Sequence, residues 1–382
     1  MIGPDPGFER RVLSALEASP SRIPVVLGGC GTGRSTLFQH LRGRSTRGLV
    51  QYVDVERCAT TPERFLRAVA STSPFPVPSF ERPPDSPRAA FDTWLDMLRS
   101  ARGPGGEPAT FLLDEVLELR TFESFPGLRH VMRDLLDVLA DSPNRFVLTT
   151  RYAVRARRWL REATARFEII LMPPLAPADV DAALAPTLDA RHAGDDCDAL
   201  VHAAHALTTG RAAYVQAMAD QLSTMGRGAE PVSALTALLS PGGALTHRCH
   251  ANYELRLHRA RGYGALKAIL EILADTEPLT LTEISHRLLR TPGSTKDYLS
   301  WLEDVDLVSA RQKRYTFCDP VLRLWVRLYC RPAPPSPEEV VREVQQYAVA
   351  RIPRTEPAPD LEYASVGPSA DDRKSWGIIE ID

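Results

Sequence analysis

Hydrophobic and polar positions change rhythm twice along the chain. Up to about residue 175, short apolar runs alternate with segments of helical period. Phe8–Glu17 reads as a helix and Ile23-Pro24-Val25-Val26-Leu27 as a buried strand. A glycine-rich loop follows, then a helix through Thr36–Leu41. Leu49–Val55 repeats the strand pattern and Pro62–Ala70 the helical one. Phe91, Trp94, Leu95 and Leu98 fall on one helical face. Thr110–Glu115, Arg145–Thr150 and Phe167–Met172 give three more strands, with a helix near Leu128–Leu139. Between Pro74 and Pro87 six prolines predict a surface loop, and Gly103–Gly106 breaks the helix before Thr110. Strands that are apolar throughout and separated by helices predict a parallel sheet covered on both faces, an α/β core over residues 1–175.

Strand signals stop after Pro173-Pro174. Asp195–Ala206, Arg211–Leu222 and Val232–Leu239 predict an all-helical unit over 176–244. A further helix is expected through Thr246–Arg261. Tyr263–Ala274, Leu281–Leu288 and Ser294–Leu302 are then three short helices. A hairpin of Leu307–Ala310 and Tyr315–Phe317 around the basic turn Arg311-Gln312-Lys313-Arg314 follows them. Asp319–Trp325 closes the unit. Three helices and a two-stranded wing predict a winged helix over 245–331. From Pro332 the composition turns to proline and acid, predicting a linker and a partly disordered tail over 332–382. Its end, Trp376–Asp382, is apolar enough to dock as a strand or bind a partner.

With 382 residues, 44% apolar and 25% charged, the chain has an ordinary globular composition. No apolar stretch approaches the roughly 20 residues of a membrane helix. The N-terminus lacks a basic segment followed by an apolar run, so a cytoplasmic protein without membrane partners is expected. The net charge of −2 is uneven: ten acidic and five basic residues from Ser336 onward give −5, leaving 41 basic against 38 acidic, or +3, elsewhere. That small excess permits contact with nucleic acid without demanding it. Six scattered cysteines without a C-x-x-C pair predict free thiols. The tight cluster His247-Arg248-Cys249-His250 has no matching ligand pair for a closed metal site.

The chemistry concentrates in three places. Gly28-Gly29-Cys30-Gly31-Thr32-Gly33-Arg34-Ser35 follows a strand and opens a helix, matching G-x-x-x-x-G-K-[ST] except for Arg34. In such a loop Gly28, Gly29, Gly31, Thr32, Gly33 and Thr36 let backbone N–H groups surround phosphate at a helix N-terminus. Ser35 would ligate Mg2+. Arg34 keeps the charge of the usual lysine but is longer and planar. Phe111–Glu115 resembles a Walker B strand, in which Asp114 would hold Mg2+ and Glu115 act as general base. Thr149-Thr150-Arg151 ends a strand at the sheet edge where ligands of open α/β folds bind, making Thr150 and Arg151 candidate γ-phosphate contacts. Gly210-Arg211 opens a helix of the second unit, and Arg211 is a candidate phosphate sensor.

These motifs and their order resemble the AAA/STAND-related archaeal-ATPase class of P-loop proteins, with the domain order of Orc/Cdc6-like ATPases. The resemblance spans roughly Phe8 to Arg331. It implies an ASCE-type core, a helical lid and a winged helix, with ATP and Mg2+ as cofactors. The implied function is an ATP/ADP-dependent switch of slow turnover, in which nucleotide state controls homo-oligomerisation and engagement of a protein partner or DNA. Arg34 departs from the family's lysine and puts the rate of hydrolysis in question more than binding. Two rival readings are a DNA-stimulated loading or remodelling ATPase and a scaffold without turnover. A trans-acting arginine finger is unassigned, with candidates in Arg155–Arg161. If the winged helix reads DNA, Ser294, Thr295, Lys296 and Tyr298 start the recognition helix, and Arg311, Lys313 and Arg314 meet phosphates. Asp297, Glu303, Asp304 and Asp306 oppose that contact.

Overall fold

Five of the apolar runs form parallel strands in a computed structural model that describes residues 6–44, 49–76, 84–163, 166–188, 196–226, 228–258, 260 and 262–353. The strands are β1 (Ile23–Leu27), β2 (Val50–Asp54), β3 (Thr110–Asp114), β4 (Arg145–Thr150) and β5 (Phe167–Leu171), in the spatial order β2-β3-β4-β1-β5. Part of the expected proline-rich loop, and the acidic segment beyond residue 353 with Trp376–Asp382, lie outside the described residues.

Alternation across the pleat divides the sheet between two cores. Val26, Leu112, Val147 and Ile170 meet Phe8, Val12 and Leu16 of α1 (Pro6–Glu17) and Leu37, Phe38 and Leu41 of α2 (Arg34–Arg44). Val25, Leu27, Phe111, Leu113, Phe146 and Leu148 belong to the other core. That side is covered by α3 (Val55–Cys58), α4 (Pro62–Ser71), α5 (Pro87–Ser100) and α6 (Val131–Asp141). There Phe65 and Trp94 meet edge to face at 4.9 Å, one of several contacts that fix α4 against α5. The cover is incomplete at the edge strand β5, where Leu171 remains 54% exposed.

Register places the site. Val53 pairs with Leu113, Leu113 with Leu148, and Leu27 with Thr150. The carboxyl ends of β1, β3 and β4 therefore share one edge, and Gly28, Asp114 and Thr149 come together there. Two local features were not anticipated. Asp54 ends β2 by accepting from Arg57 N at 3.1 Å and starting α3. A 3-10 helix, Val116–Ser124, follows β3 directly.

Beyond β4 comes α7 (Ala153–Trp159). After β5 the chain is helical through α8 (Pro177–Leu188), α9 (Asp196–Thr208), α10 (Ala212–Met225), α11 (Pro231–Leu239) and α12 (Ala244–Leu257). Then follow α13 (Tyr263–Asp275), β6 (Leu279–Thr280), α14 (Leu281–Leu288), α15 (Pro292–Asp304), β7 (Val308–Arg311), β8 (Arg314–Phe317) and α16 (Pro320–Tyr329). The hairpin turn puts Gln312 and Lys313 at φ 51° and 62°, as a two-residue turn matching strand twist requires. Two-residue β6 pairs with β8, so the expected two-stranded wing is a three-stranded sheet, β6-β8-β7.

Residues 332–336 carry no helix or strand, but the partly disordered tail expected after this linker begins instead with α17 (Pro337–Val349). Ser336 and Glu339 form a reciprocal capping box and Pro337 occupies the first turn. Val340, Val344 and Ala348, spaced by four, are buried, and the helix packs on α11 and α16. Prolines and acids at its start hid a regular apolar face. Among the described residues no helix is long and apolar enough to cross a membrane.

Candidate functional site

The loop Gly28–Gly33 leaves β1 and enters α2 with Gly31 at φ +79° and Gly33 at φ +100°, a region that favours glycine. Thr32 Oγ1 ties the loop by donating to Gly29 O at 2.9 Å. The first-turn amides of Arg34, Ser35 and Thr36 have no intrahelical acceptor by helix geometry, so the loop ends in a row of donors at a positive helix end. A cleft of about 540 Å3 opens beside them, walled on the far side by Ala212, Ala213, Gln216 and Asp220 of α10 and by Arg248 of α12. The two walls touch: Ala213 N donates to Gly31 O at 2.9 Å, and a Cβ on Gly31 would meet Ala213 Cβ at 2.9 Å.

Asp114 lies at the foot of this loop. Its Oδ2 accepts from Ser35 Oγ at 3.2 Å and Tyr52 Oη at 3.1 Å, and its Oδ1 from Thr149 Oγ1. Ser35 and Asp114 thus bring a hydroxyl and a carboxylate together, the hard oxygen donors that suit Mg2+. Burial, with the adjacent charges of Asp114 and Asp54, pushes the Tyr52 phenol well up, keeping it a donor.

Glu115 adopts the left-handed conformation (φ 54°), and its amide donates to Thr149 Oγ1 at 3.2 Å. Arg34 Nη2 lies 2.5 Å from Glu115 Oε1, and Arg151 N donates to Oε2 at 3.1 Å. Arg151 Nε makes an ion-pair contact with Oε1 at 3.0 Å without hydrogen-bond alignment. Arg151 Nη2 bonds Glu56. Burial would lower the Arg151 guanidinium, but Glu115, Cys30 and Glu56 outweigh it and hold the charge in place. Glu115 is therefore clamped between two arginines. Arg34 Nη1, buried and without a hydrogen-bond partner, is a donor that a phosphate oxygen would satisfy.

The remaining candidates divide. Arg211 reaches the loop: its Nη1 donates to Cys30 O at 2.8 Å and lies 3.5 Å from Asp319 Oδ2. Thr150 does not line the cleft; it is fully buried, and its hydroxyl accepts from Tyr152 N at 3.3 Å. Its carbonyl accepts from Gly28 N at 3.4 Å, so its contact with the loop is through the backbone. Arg151 is turned to Glu115 and Glu56.

Several residues of this network were missed. Tyr52, Glu56, Tyr214, Arg256 and Asp319 carry no motif, and Thr149 stood in the triplet without an assigned contact. Arg256, 5% exposed, reaches Cys30 Sγ at 3.2 Å and Asp306 O at 2.9 Å. Asp319 caps α16 through Val321 N and Leu322 N while accepting from Tyr214 Oη at 2.6 Å.

The candidate nucleic-acid contacts also divide. Arg311, Lys313, Arg314 and Lys296 are exposed. Thr295 is fully buried and donates to Thr291 O at 2.9 Å, so it cannot face DNA. Two of the opposing acids turn inward: Asp304 pairs with Arg158 at 2.8 Å, and Asp306 accepts from Ala153 N at 2.5 Å. Arg155 lies over the Trp301 ring at 5.3 Å, whereas Arg157 and Arg161 are exposed.

No family model matches the sequence, and no curated protein matches it. Solved structures do match its fold. The Walker-type ATPase PABY2304 of Pyrococcus abyssi is similar with a TM-score of 0.65 at 16% identity, over 84% of this chain and 95% of that one. The Aeropyrum pernix ORC2 protein, in ADPNP–ADP complexes, is similar with a TM-score of 0.51 at 14% identity, over 90% and 92%. The chain has the fold of these proteins: a P-loop α/β core followed by helical C-terminal regions.

Proposed function

We propose that the chain is an ATP-binding molecular switch and slow ATPase, acting in the cytoplasm, whose nucleotide state controls engagement of a partner. The observation that carries this reading is that residues 31–36 of the loop line a cleft between core and helical lid, with Asp114 bonded to Ser35, Glu115 to Arg34 and Arg211 to the loop carbonyl of Cys30. The loop amides and Arg34 bind the phosphates; Ser35 and Asp114 hold Mg2+, which neutralises phosphate charge when bound. Glu115 is the general base for the attacking water. Arg34 and Arg151 occupy its Oε1, so the carboxylate is free to meet the attacking water only once Arg34 turns to the phosphates, a step that would make turnover slow.

Arg211 supplies the output. In this structure it bridges the loop carbonyl of Cys30 and Asp319, the cap of α16. A γ-phosphate competes with Asp319 for the same guanidinium, so filling and emptying the cleft changes the hold on the C-terminal helices. The unit α13–α15 with its small sheet is read as a winged helix, and its exposed Arg311, Lys313, Arg314 and Lys296 favour DNA as the partner. Two of the opposing carboxylates are spent on the core.

Labelled-ATP titration with and without duplex DNA, followed by phosphate release, tests the reading. Saturable Mg-dependent binding with slow release supports it, and absence of binding refutes it. Binding with no release at all, unchanged by DNA, identifies a scaffold. Vigorous DNA-stimulated release identifies a loading or remodelling ATPase. Mass measurement with ATP and with ADP tests homo-oligomerisation.

A further inference from the structure

A second cavity, of about 720 Å3, lies away from the phosphate loop between α9, α16 and α17. Its size suits a small-molecule ligand. Arg323, Arg327, Arg351 and Glu343 are among its lining residues, three guanidinium groups to one carboxylate. Arg327 Nε meets Glu343 at 2.8 Å. Arg323 Nε donates to Ala274 O at 3.1 Å and lies 3.4 Å from Glu277 behind it. The Arg351 guanidinium rests 4.8 Å over the Tyr347 ring, and no carboxylate lies within ion-pair distance of it among the described residues. Burial lowers Arg323; Glu277 opposes this, and Arg327 and Arg351 depress it further. With Arg323 facing Glu277 and Arg327 facing Glu343, the cavity keeps an excess of one positive charge, that of Arg351, in a partly desolvated place.

We propose that this cavity binds a small phosphate-bearing anion, held by Arg323, Arg327 and Arg351. Arginine forks suit phosphate oxygens, and an anion relieves the mutual repulsion of the three groups. The site also borders two segments next to Arg211, the chain just before it and the one that carries Asp319. His205, in its wall, contacts Leu175 O through Nε2 at 3.0 Å, and Leu175 N donates to Gly210 O at 2.7 Å beside Arg211. Pro320, in the opposite wall, follows Asp319. Occupancy thus biases the position of Arg211, a consequence that rests on the nucleotide-switch reading, whereas anion binding itself does not.

Backbone hydrogen exchange of the full chain, titrated with inorganic tripolyphosphate, separates the two. The expected result is protection of residues 320–327 and 343–351. In Arg351→Ala, a substitution at the end of α17, that protection should need about tenfold more tripolyphosphate, while any protection of residues 28–36 stays unchanged. Arg323→Gln should show the same weakening. Unprotected 320–327 and 343–351, or protection indifferent to both substitutions, overturns the anion site. Protection of these segments with none at 28–36 upholds the anion site and counts against the phosphate loop alone.

Discussion

Arg34 stands where P-loops carry lysine, and in this structure its guanidinium holds Glu115. Lysine at this position reaches phosphate as a point charge and lacks the planar fork that grips a carboxylate. Arg34→Lys is therefore expected to preserve or raise ATP turnover, measured as phosphate release at saturating nucleotide. A complete loss would show that arginine has a role of its own in catalysis. Asp306 gives a pH-dependent expectation. Burial pushes its carboxyl up to about 6 from 3.8, against the bond from Ala153 N and the charge of Arg256. Because the folded value is the higher one, the stabilising contribution of the neutral form is complete below pH 3.8 and is lost as pH rises through 6. Asp306→Asn should then gain on the native protein by about 2 kcal/mol at pH 8, with the gap closing toward pH 4 in urea melts. A gap independent of pH contradicts this. Asp114 and Glu115 were legible because neighbours in sequence formed the motif. Tyr52, Glu56, Arg256 and Asp319 were not, because their partners are distant in sequence and only register and packing bring them together.

Among elements, the parallel strands were the most legible, since two-sided burial demands unbroken apolar runs. The helix α17 was the least. Its apolar positions Val340, Val344 and Ala348 repeat every four residues, yet the acids and prolines around them have the composition of a tail. Its packing on α11 and α16 is a testable contribution to stability. Val344, fully buried, should cost about 2 kcal/mol on replacement by alanine, read as a lower urea midpoint with an unchanged slope. No change would mean that α17 does not belong to the cooperative fold. Strand β6 shows the opposite limit: two residues have no period to read, and only pairing with β8 defines them. Thr295 was misread for a related reason. Polarity suggested an exposed contact, but the helix turns it inward, where its hydroxyl is satisfied by Thr291 O.

Across the whole molecule, the phosphate loop touches every layer through a few cations. Arg34 and Arg151 hold Glu115, Arg211 joins Cys30 to Asp319, and Arg256 joins Cys30 to Asp306. On the proposed reading, a ligand that recruits Arg211 draws it away from Asp319, and nucleotide and a C-terminal partner would then be linked in both directions. The central claim is that this loop, with Ser35 and Asp114, is a Mg-ATP site. Its most direct test is equilibrium binding of labelled ATP in Mg2+ to the native chain, Ser35→Ala and Asp114→Ala. Affinity should fall on the order of tenfold or more in each variant, with folding retained. Equal binding by all three would contradict the claim.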